Sequence, residues 1–491
     1  MELPGLGHSG LGIICLSTIF FLFVYIISTI IYSLTLHPLA SYRGPICTRA
    51  SRVPFWIACL TGTQVLWMHH LHTKYGPVVR YSPNDLSFID HGGVEWKAIH
   101  GHEKGGRELP KAREWFVEPA NGIYGINSAP AHEDHRRFRK LFAPAFSERA
   151  LKSNEPVLRK HVDLLVTKLG EVVNAGRPVD MVKMFQFTTF DFMGDLTFGL
   201  PLGLLQGLKY SPWVEAVFDS IKRFEPQFVK DMKYNHFKHS ADRVDLRLER
   251  GSAEKPDIWS MVLAAKGDQQ LSLEEMYCHA DVFMLAGSET SGSTLSGLTY
   301  HLLSNPEKLA ILKNQIHSLF KHEDEITLQS TAGIEYLNAC IQEALRLYPP
   351  VPVGVPRIVT EAGLTIRGQW IAPGTRVSVH HYATYHSPLN FADPDTFAPE
   401  RWLSGGGGGG GDSLSPYYKN DRRESCQPFA YGPRDCLGRN LAMHEMRYMM
   451  ARVLFNFDLK LRPESQGWDG QRAFILWEKK LLMCSLQATA R

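Results

Sequence analysis

The stretch "PFAYGPRDCLGR", Pro428 to Arg439, decides how this chain is read. One thiol, Cys436, sits there among Phe429, Gly432, Arg434 and Gly438. Thiolate is the metal-ligating form of cysteine, and a nearby cation such as Arg434 favours it. The two glycines let backbone turn tightly or approach something flat, and Phe429 can shield the sulfur. The following "NLAMHEMRYMMARVLF" reads as a helix with an apolar face, whose positive dipole end would stabilise an anionic sulfur. A lone cysteine is ordinarily a structural core residue, but such a residue needs none of this company. The set suits a haem iron held by cysteine thiolate, the ligand that favours O–O cleavage.

Working outward, "LSLEEMYCHADVFMLAGSETSGSTLSGLTYHLLSNP" predicts one long helix. Ser272 and Glu275 form a capping box at its start, and Asn305-Pro306 stops it. "EALR" sets Glu343 and Arg346 one helical turn apart, able to pair. Residues 151–250 repeat apolar positions at helical spacing, and 307–349 predict two more helices. "HEDHRRFRKLFAPAFS" reads as a basic helix closed by Pro144. "GPVVRYSPNDLSFID" reads as a hairpin, residues 351–380 as strands, and the tail "QRAFILWEKKLLMCSL" as a last hairpin. The expected body is mainly α with a smaller β-rich region.

Residues Leu3 to Tyr42 contain no Asp, Glu, Lys or Arg, and the apolar run over about 11–36 reaches the roughly 20 residues a bilayer-spanning helix needs. A cleaved signal peptide fits less well, because no basic head and no small-residue cleavage site flank it. Arg43, Arg49 and Arg52 follow the span while Glu2 precedes it, so the body is expected on the cytosolic side. The organisation read from this is an anchor at 1–40 and a single domain at 41–491. The seven glycines at 405–411 read as a surface insertion. "GLGHSG" fits a dinucleotide fingerprint in letters only, since it precedes a membrane span and follows no strand. Net charge is +3, from 53 basic and 50 acidic residues, which excludes a strongly basic nucleic-acid binder. Eight cysteines with no C-x-x-C pair suggest free thiols in a reducing compartment. The histidine groups at 69–72 and 380–386 lack zinc-type spacing.

Taken together, these motifs resemble the cytochrome P450 family of haem-thiolate monooxygenases over roughly residues 36–485. Phe429, Gly432, Arg434, Cys436 and Gly438 match the family's F-x-x-G-x-R-x-C-x-G loop. "HPLASYRGP", "KYGPVVRYSPNDLSFID" and "FDFMGDLTFG" resemble segments of its fungal secondary-metabolism members. The resemblance implies the P450 fold behind one transmembrane helix, and haem b with Cys436 as axial thiolate. It implies a charge cluster of Glu343, Arg346 and Arg401, the last from "FADPDTFAPERW"; without that context E-x-x-R is a routine surface pair. In "AGSETS" it implies that Glu289 and Thr290, on a helix opened at Gly287, deliver protons to reduced dioxygen. The plainer reading of Thr290 is a back-bond to the carbonyl one turn earlier. His132, Arg136, Arg357 and Arg434 become candidates to hold the two anionic haem propionates.

The sequence departs from the family where the polyglycine run interrupts the segment before the thiol loop, and at three further points. Arg43-Gly44-Pro45 replaces the usual Pro-Gly-Pro hinge, Glu289 stands where Asp is commoner, and His132 where Trp is. Nothing in the chain resembles a flavin or nicotinamide site. A membrane-bound NADPH-cytochrome P450 reductase is therefore the implied electron donor, with dioxygen and an apolar small molecule as substrates and the endoplasmic reticulum membrane as the location. The competing class is a non-oxygenating haem-thiolate isomerase, dehydratase or sensor, which has no use for the Glu289-Thr290 pair.

Overall fold

The apolar head forms one long helix. The computed structural model describes residues 8–102, 108–112, 121–211, 214, 226–251, 257–267, 270–403 and 416–489; the polyglycine run lies outside the described residues. Helix α1 (His8–Thr35) contains the 23-residue apolar stretch Ile13–Thr35, whose large apolar side chains such as Phe20, Phe23 and Ile31 are exposed and whose end meets the body through Ser33. Two arginines cap its last turn. Arg49 Nη2 donates to the carbonyls of Leu34 (3.2 Å) and Ala40 (2.8 Å), and Arg80 Nη1 to those of Ser33 (2.9 Å) and Leu39 (3.2 Å). Cations there satisfy carbonyls that a helix end leaves bare. Leu39 is fully buried among Leu86, Phe88 and Val377. Within residues 33–40, Ser33 and Leu39 are buried against the body, while Leu36 and Pro38 stay exposed.

The body is built from helices α2 (Gln64–Tyr75), α3 (His132–Phe142), α4 (Glu155–Asn174), α5 (Met181–Phe198), α6 (Pro226–Glu249), α7 (Leu273–Ser304), α8 (Pro306–Leu319), α9 (Glu335–Leu347) and α10 (Arg439–Asn456). The central one is α7, packed against α5, α6, α9 and α10. Its start carries the expected capping box: Ser272 Oγ accepts from Glu275 N (3.2 Å), and Ser272 N donates to Glu275 Oε2 (2.9 Å). Gly287 does not open this helix, which runs unbroken through it. A Cβ at Gly287 would lie 2.7 Å from the Met193 sulfur, and one at Gly297 would lie 2.6 Å from the Tyr348 ring. These glycines serve close approach of neighbours rather than a break.

The main sheet orders β1 (Val78–Ser82), β2 (Asp85–Phe88), β7 (Arg376–Val379) and β4 (Arg357–Ile358). The first two form the expected hairpin, with Val78 opposite Phe88. β5 (Leu364–Ile366) and β6 (Gln369–Ile371) make a second hairpin. The tail departs from expectation. Its strand β9 (Met483–Ala488) pairs with β8 (Phe457–Leu461) and β3 (Val179–Asp180), while Ala473 and Trp477 make only an isolated bridge. The reason is aromatic burial: Trp477 stacks on Tyr348 at 4.9 Å and donates its indole N–H to Pro349 O at 2.7 Å.

Candidate active site

The loop before α10 folds back around Cys436. The Cys436 amide donates to Phe429 O at 2.8 Å. Gly432 has φ +81°, and a Cβ there would lie 2.1 Å from the His100 carbonyl oxygen, so the turn admits glycine alone. Gly438 is the N-cap of α10, and its backbone hydrogen-bonds the Cys436 sulfur. The thiol thus lies at the positive end of that helix. Arg439 stacks over the Phe429 ring at 5.7 Å. Burial pushes the Cys436 thiol up, against the pull of the Gly438 backbone and the Arg139 and Arg439 charges. Yet Cys436 is an exposed residue. The loop folded around this exposed residue is a cradle open to a ligand.

Beside this loop the structure gathers cations. Arg434 donates to Glu108 Oε1 (2.7 Å) and to the carbonyls of Ala129 (2.5 Å) and Ala131 (3.2 Å). His132 Nδ1 binds the other oxygen of Glu108. Glu108 is thereby shared, and Arg357 has no ion-pair partner among the described residues. Arg357 is buried, and its Nε and Nη1 have no hydrogen-bond partner. Burial, then the Arg434 charge, pushes it down to about 9. Lys111 bridges to Arg357 by backbone pairing and donates to Asn127 O. Burial and the Arg357 and Arg434 charges hold it well below its usual value. A buried guanidinium left without a counter-charge is costly unless an anion joins it. A haem, with two carboxylates on a flat ring, fits both the cradle and the unmatched cation.

Of the residues expected here, Arg357, Arg434 and His132 converge, whereas Arg136 is exposed on α3. The H-x-x-x-R spacing occurs twice, and the second copy is the one turned inward. His135 is buried on the same face as Phe138 and Phe142, and burial, then Arg434 and Lys111, push it down to about 3. Arg139 donates to Asp435 O (2.8 Å) and pairs with its carboxylate (2.5 Å), right against Cys436. The apolar stripe Phe138–Leu141–Phe142 was the signal that could have chosen between the copies. Lys111 and Glu108 carried no such signal.

Glu289 and Thr290 point apart, because consecutive helical residues diverge by about 100°. Thr290 is half-buried beside Ala286, which is exposed in the middle of a helix whose other central residues are buried or half-buried; the Thr290 hydroxyl donates to Ala286 O at 2.7 Å. Glu289 is fully buried on the other face, accepting from Gln186 Nε2 at 2.9 Å and paired with Lys479.

Away from the loop, Glu343 lies at the centre of a buried charge cluster. Arg346 grips it with two bonds (2.7 and 2.9 Å), Arg401 Nε donates at 3.0 Å and Trp402 Nε1 at 2.7 Å. All three charged side chains are fully buried. Burial alone would raise the Glu343 carboxyl; Arg346, then Arg401, outweigh it and hold it below the ordinary carboxylate range. The histidines of the two rich stretches find ordinary partners: His72 meets Ser87 Oγ at 2.8 Å, and His381 meets Val353 O at 2.7 Å.

The fold and this site are those of a haem-thiolate enzyme. The family model for cytochrome P450 matches residues 54–485, and the chain belongs to that family. Among its relatives, cytochrome P450 monooxygenase efuB of Hormonema carpetanum is 40% identical over 497 residues, covering 96% of this chain and 95% of the relative. Cytochrome P450 monooxygenase FUM2 of Gibberella moniliformis is 38% identical over 475 residues (92% and 98%). The trichothecene C-4 hydroxylase of Trichoderma arundinaceum is 39% identical over 483 residues (93% and 94%). The chain is a monooxygenase enzyme, and its family's cofactor is haem with a cysteine thiolate on the iron.

Proposed function

We propose that this monooxygenase is anchored by α1 in the endoplasmic reticulum membrane with its body in the cytosol, and takes NADPH-derived electrons from NADPH-cytochrome P450 reductase. Its substrate in this reading is an apolar small molecule, hydroxylated or otherwise oxidised in secondary-metabolite biosynthesis. Relatives such as the trichothecene C-4 hydroxylase support that class of reaction. Cys436 would hold the haem iron through its thiolate. Arg357 and Arg434, with His132, His135, Arg139 and Lys111 around them, hold the propionate edge. The observation that carries this reading is the buried Arg357 guanidinium left unmatched beside the Cys436 loop. When bound, the haem supplies the iron at which dioxygen is reduced and split. The protein's share is to hold the ring, exclude water and move protons. Thr290 has committed its own proton to Ala286, so its free lone pairs can receive one from an acid and orient it.

The experiment is Thr290→Ala. The variant keeps its haem and its carbon monoxide complex, since the hydroxyl removed is bonded to Ala286 O on its own helix and not to the thiol loop. NADPH is still consumed, but more electrons leave as hydrogen peroxide and less product forms per NADPH. Unchanged coupling contradicts the proton role of Thr290.

The anchor gives a second expectation. Removing residues 1–31 releases the chain from membranes with its carbon monoxide spectrum intact. Removing residues 1–40 also deletes Leu39, whose full burial is worth roughly 1.5–3 kcal/mol, and the capping partners of Arg80. That deeper cut lowers the melting temperature of the released protein. Equal stability of the two truncations would place the boundary at 40 after all.

A further inference from the structure

We propose that Trp477, Tyr348, Trp468 and Tyr300 form a one-electron path that drains surplus oxidising power from the reaction site to the protein surface, an inference that rests on the monooxygenase reading above. The four rings touch in series. Trp477 stacks on Tyr348 at 4.9 Å with 15° between the planes, Tyr348 meets Trp468 at 5.1 Å, and Trp468 meets Tyr300 at 5.6 Å. These are ordinary separations for packed aromatic pairs. Indole and phenol rings give up one electron more readily than the aliphatic side chains around them, and rings in contact exchange it quickly. The inner end lies against the reaction site. Trp477 stands two residues before Lys479, whose ammonium pairs with Glu289, the neighbour of Thr290. Tyr348 presses on α7 itself, since a Cβ at Gly297 would lie 2.6 Å from its ring. The outer end is Tyr300, about 15 Å along α7 from Thr290. It is half-buried and hydrogen-bonded to the exposed Asp469.

Where the protons can go separates a path from an ordinary aromatic core. A phenol that loses an electron also sheds its proton if a base stands beside it, and the electron deficit then stays on that ring. Tyr348 donates to the Gln471 amide oxygen at 2.9 Å, Trp477 to Pro349 O at 2.7 Å and Trp468 to Lys480 O at 2.8 Å. Amide oxygens do not keep a proton near neutral pH. Of the four rings Tyr300 alone is bonded to a carboxylate, so the deficit settles at the surface end. Each passage moves one electron inward. Tyr300 gives it to Trp468, and Trp468, Tyr348 and Trp477 pass it to the site, where a proton from water balances its charge. The Tyr300 O–H bond breaks and its proton goes to Asp469. A small thiol in solution then returns a hydrogen atom to the Tyr300 oxygen. Asp469 releases its proton to water, and two thiols so used join as a disulfide. The surplus arises when dioxygen is reduced with no substrate in place, which the monooxygenase activity itself supplies.

The haem-loaded full-length chain is run without substrate, with a nitroso spin trap and an NADPH-dependent flavoprotein reductase in vesicles. Peptide mass spectrometry reports which ring carries the trap, and the adduct is expected on Tyr300. Trp468→Phe keeps a ring in place but one too hard to oxidise. Asp469→Asn, at an exposed position, removes the base without touching the core. Each variant loses the Tyr300 adduct. A small thiol slows bleaching of the haem absorption in the wild type and gives no such protection in Tyr300→Phe, a difference that a packing role alone would not produce. Four results overturn the path: no adduct in the wild type, an adduct on Tyr300 that persists in either variant, equal thiol protection in Tyr300→Phe, or an adduct on Tyr382 instead, the side branch 6.0 Å from Trp477. A parallel run on hydrogen peroxide alone needs neither reductase nor dioxygen. A wild type that draws no electrons from NADPH, yet carries the adduct on Tyr300 under peroxide, loses the monooxygenase reading and keeps the path.

Discussion

Replacing Arg346 by Leu yields little haem-loaded protein. Arg346 donates twice to Glu343 and also to the carbonyls of Tyr385 (2.8 Å), Pro394 (2.5 Å) and Thr396 (3.1 Å). It therefore ties α9 to the segment that carries Arg401 and leads on towards the thiol loop. Leucine removes all five bonds and leaves Glu343 buried with Arg401 as its remaining cation. Breaking one partner out of a buried pair costs about 3–5 kcal/mol, a large share of the roughly 5–15 kcal/mol that holds a domain together. The pH dependence has a defined sign. In the wild type the Glu343 carboxyl is depressed, so its contribution is present above the unfolded value of about 4.3 and lost as pH falls through the folded one. In the variant, burial has the larger say and the carboxyl rises, so the deficit is greatest at neutral pH and narrows on acidification. Arg346→Lys keeps a charge but not the two-pronged grip and falls between the two. The measurement is haem per polypeptide in solubilised full-length protein. Normal loading at normal expression in Arg346→Leu contradicts the structural role of the cluster.

How much of this was legible in the sequence depends on how local the physics is. The capping box of α7, the β1–β2 hairpin and the turn at Gly432 are decided within a few residues, and their letters announce them. Glu343 and Arg346 lie within one helical turn, and a motif supplied Arg401. The reading failed where long-range packing chose between local equals. His132/Arg136 and His135/Arg139 have the same spacing; only the Phe138–Phe142 stripe, pressed against α7 through His279 and Phe283, decides which copy faces inward. The tail strand left its expected hairpin because Trp477 found Tyr348 and β9 found β8. Lys479 was invisible for the same reason. It stands 190 residues from Glu289, and nothing in "WEKK" hints at a buried partner.

The central claim is that Cys436 is the axial ligand of a haem, and one spectrum tests it. Any substitute thiolate would have to come from the other seven cysteines. Burial pushes the thiols of Cys59, Cys278 and Cys484 up to about 12, and it lifts Cys340 and Cys426 as well. Cys15 lies in the membrane-length helix, and Cys47 lies in the short helix just after it. None of them stands before a helix N-terminus within a glycine-turned loop. The measurement is the absorption of the reduced, purified protein under carbon monoxide, wild type against Cys436→Ala. The expected result is the red-shifted Soret band of thiolate-ligated haem in the wild type and its complete loss in the variant. A Cys436→Ala protein that kept the red-shifted band would contradict the assignment.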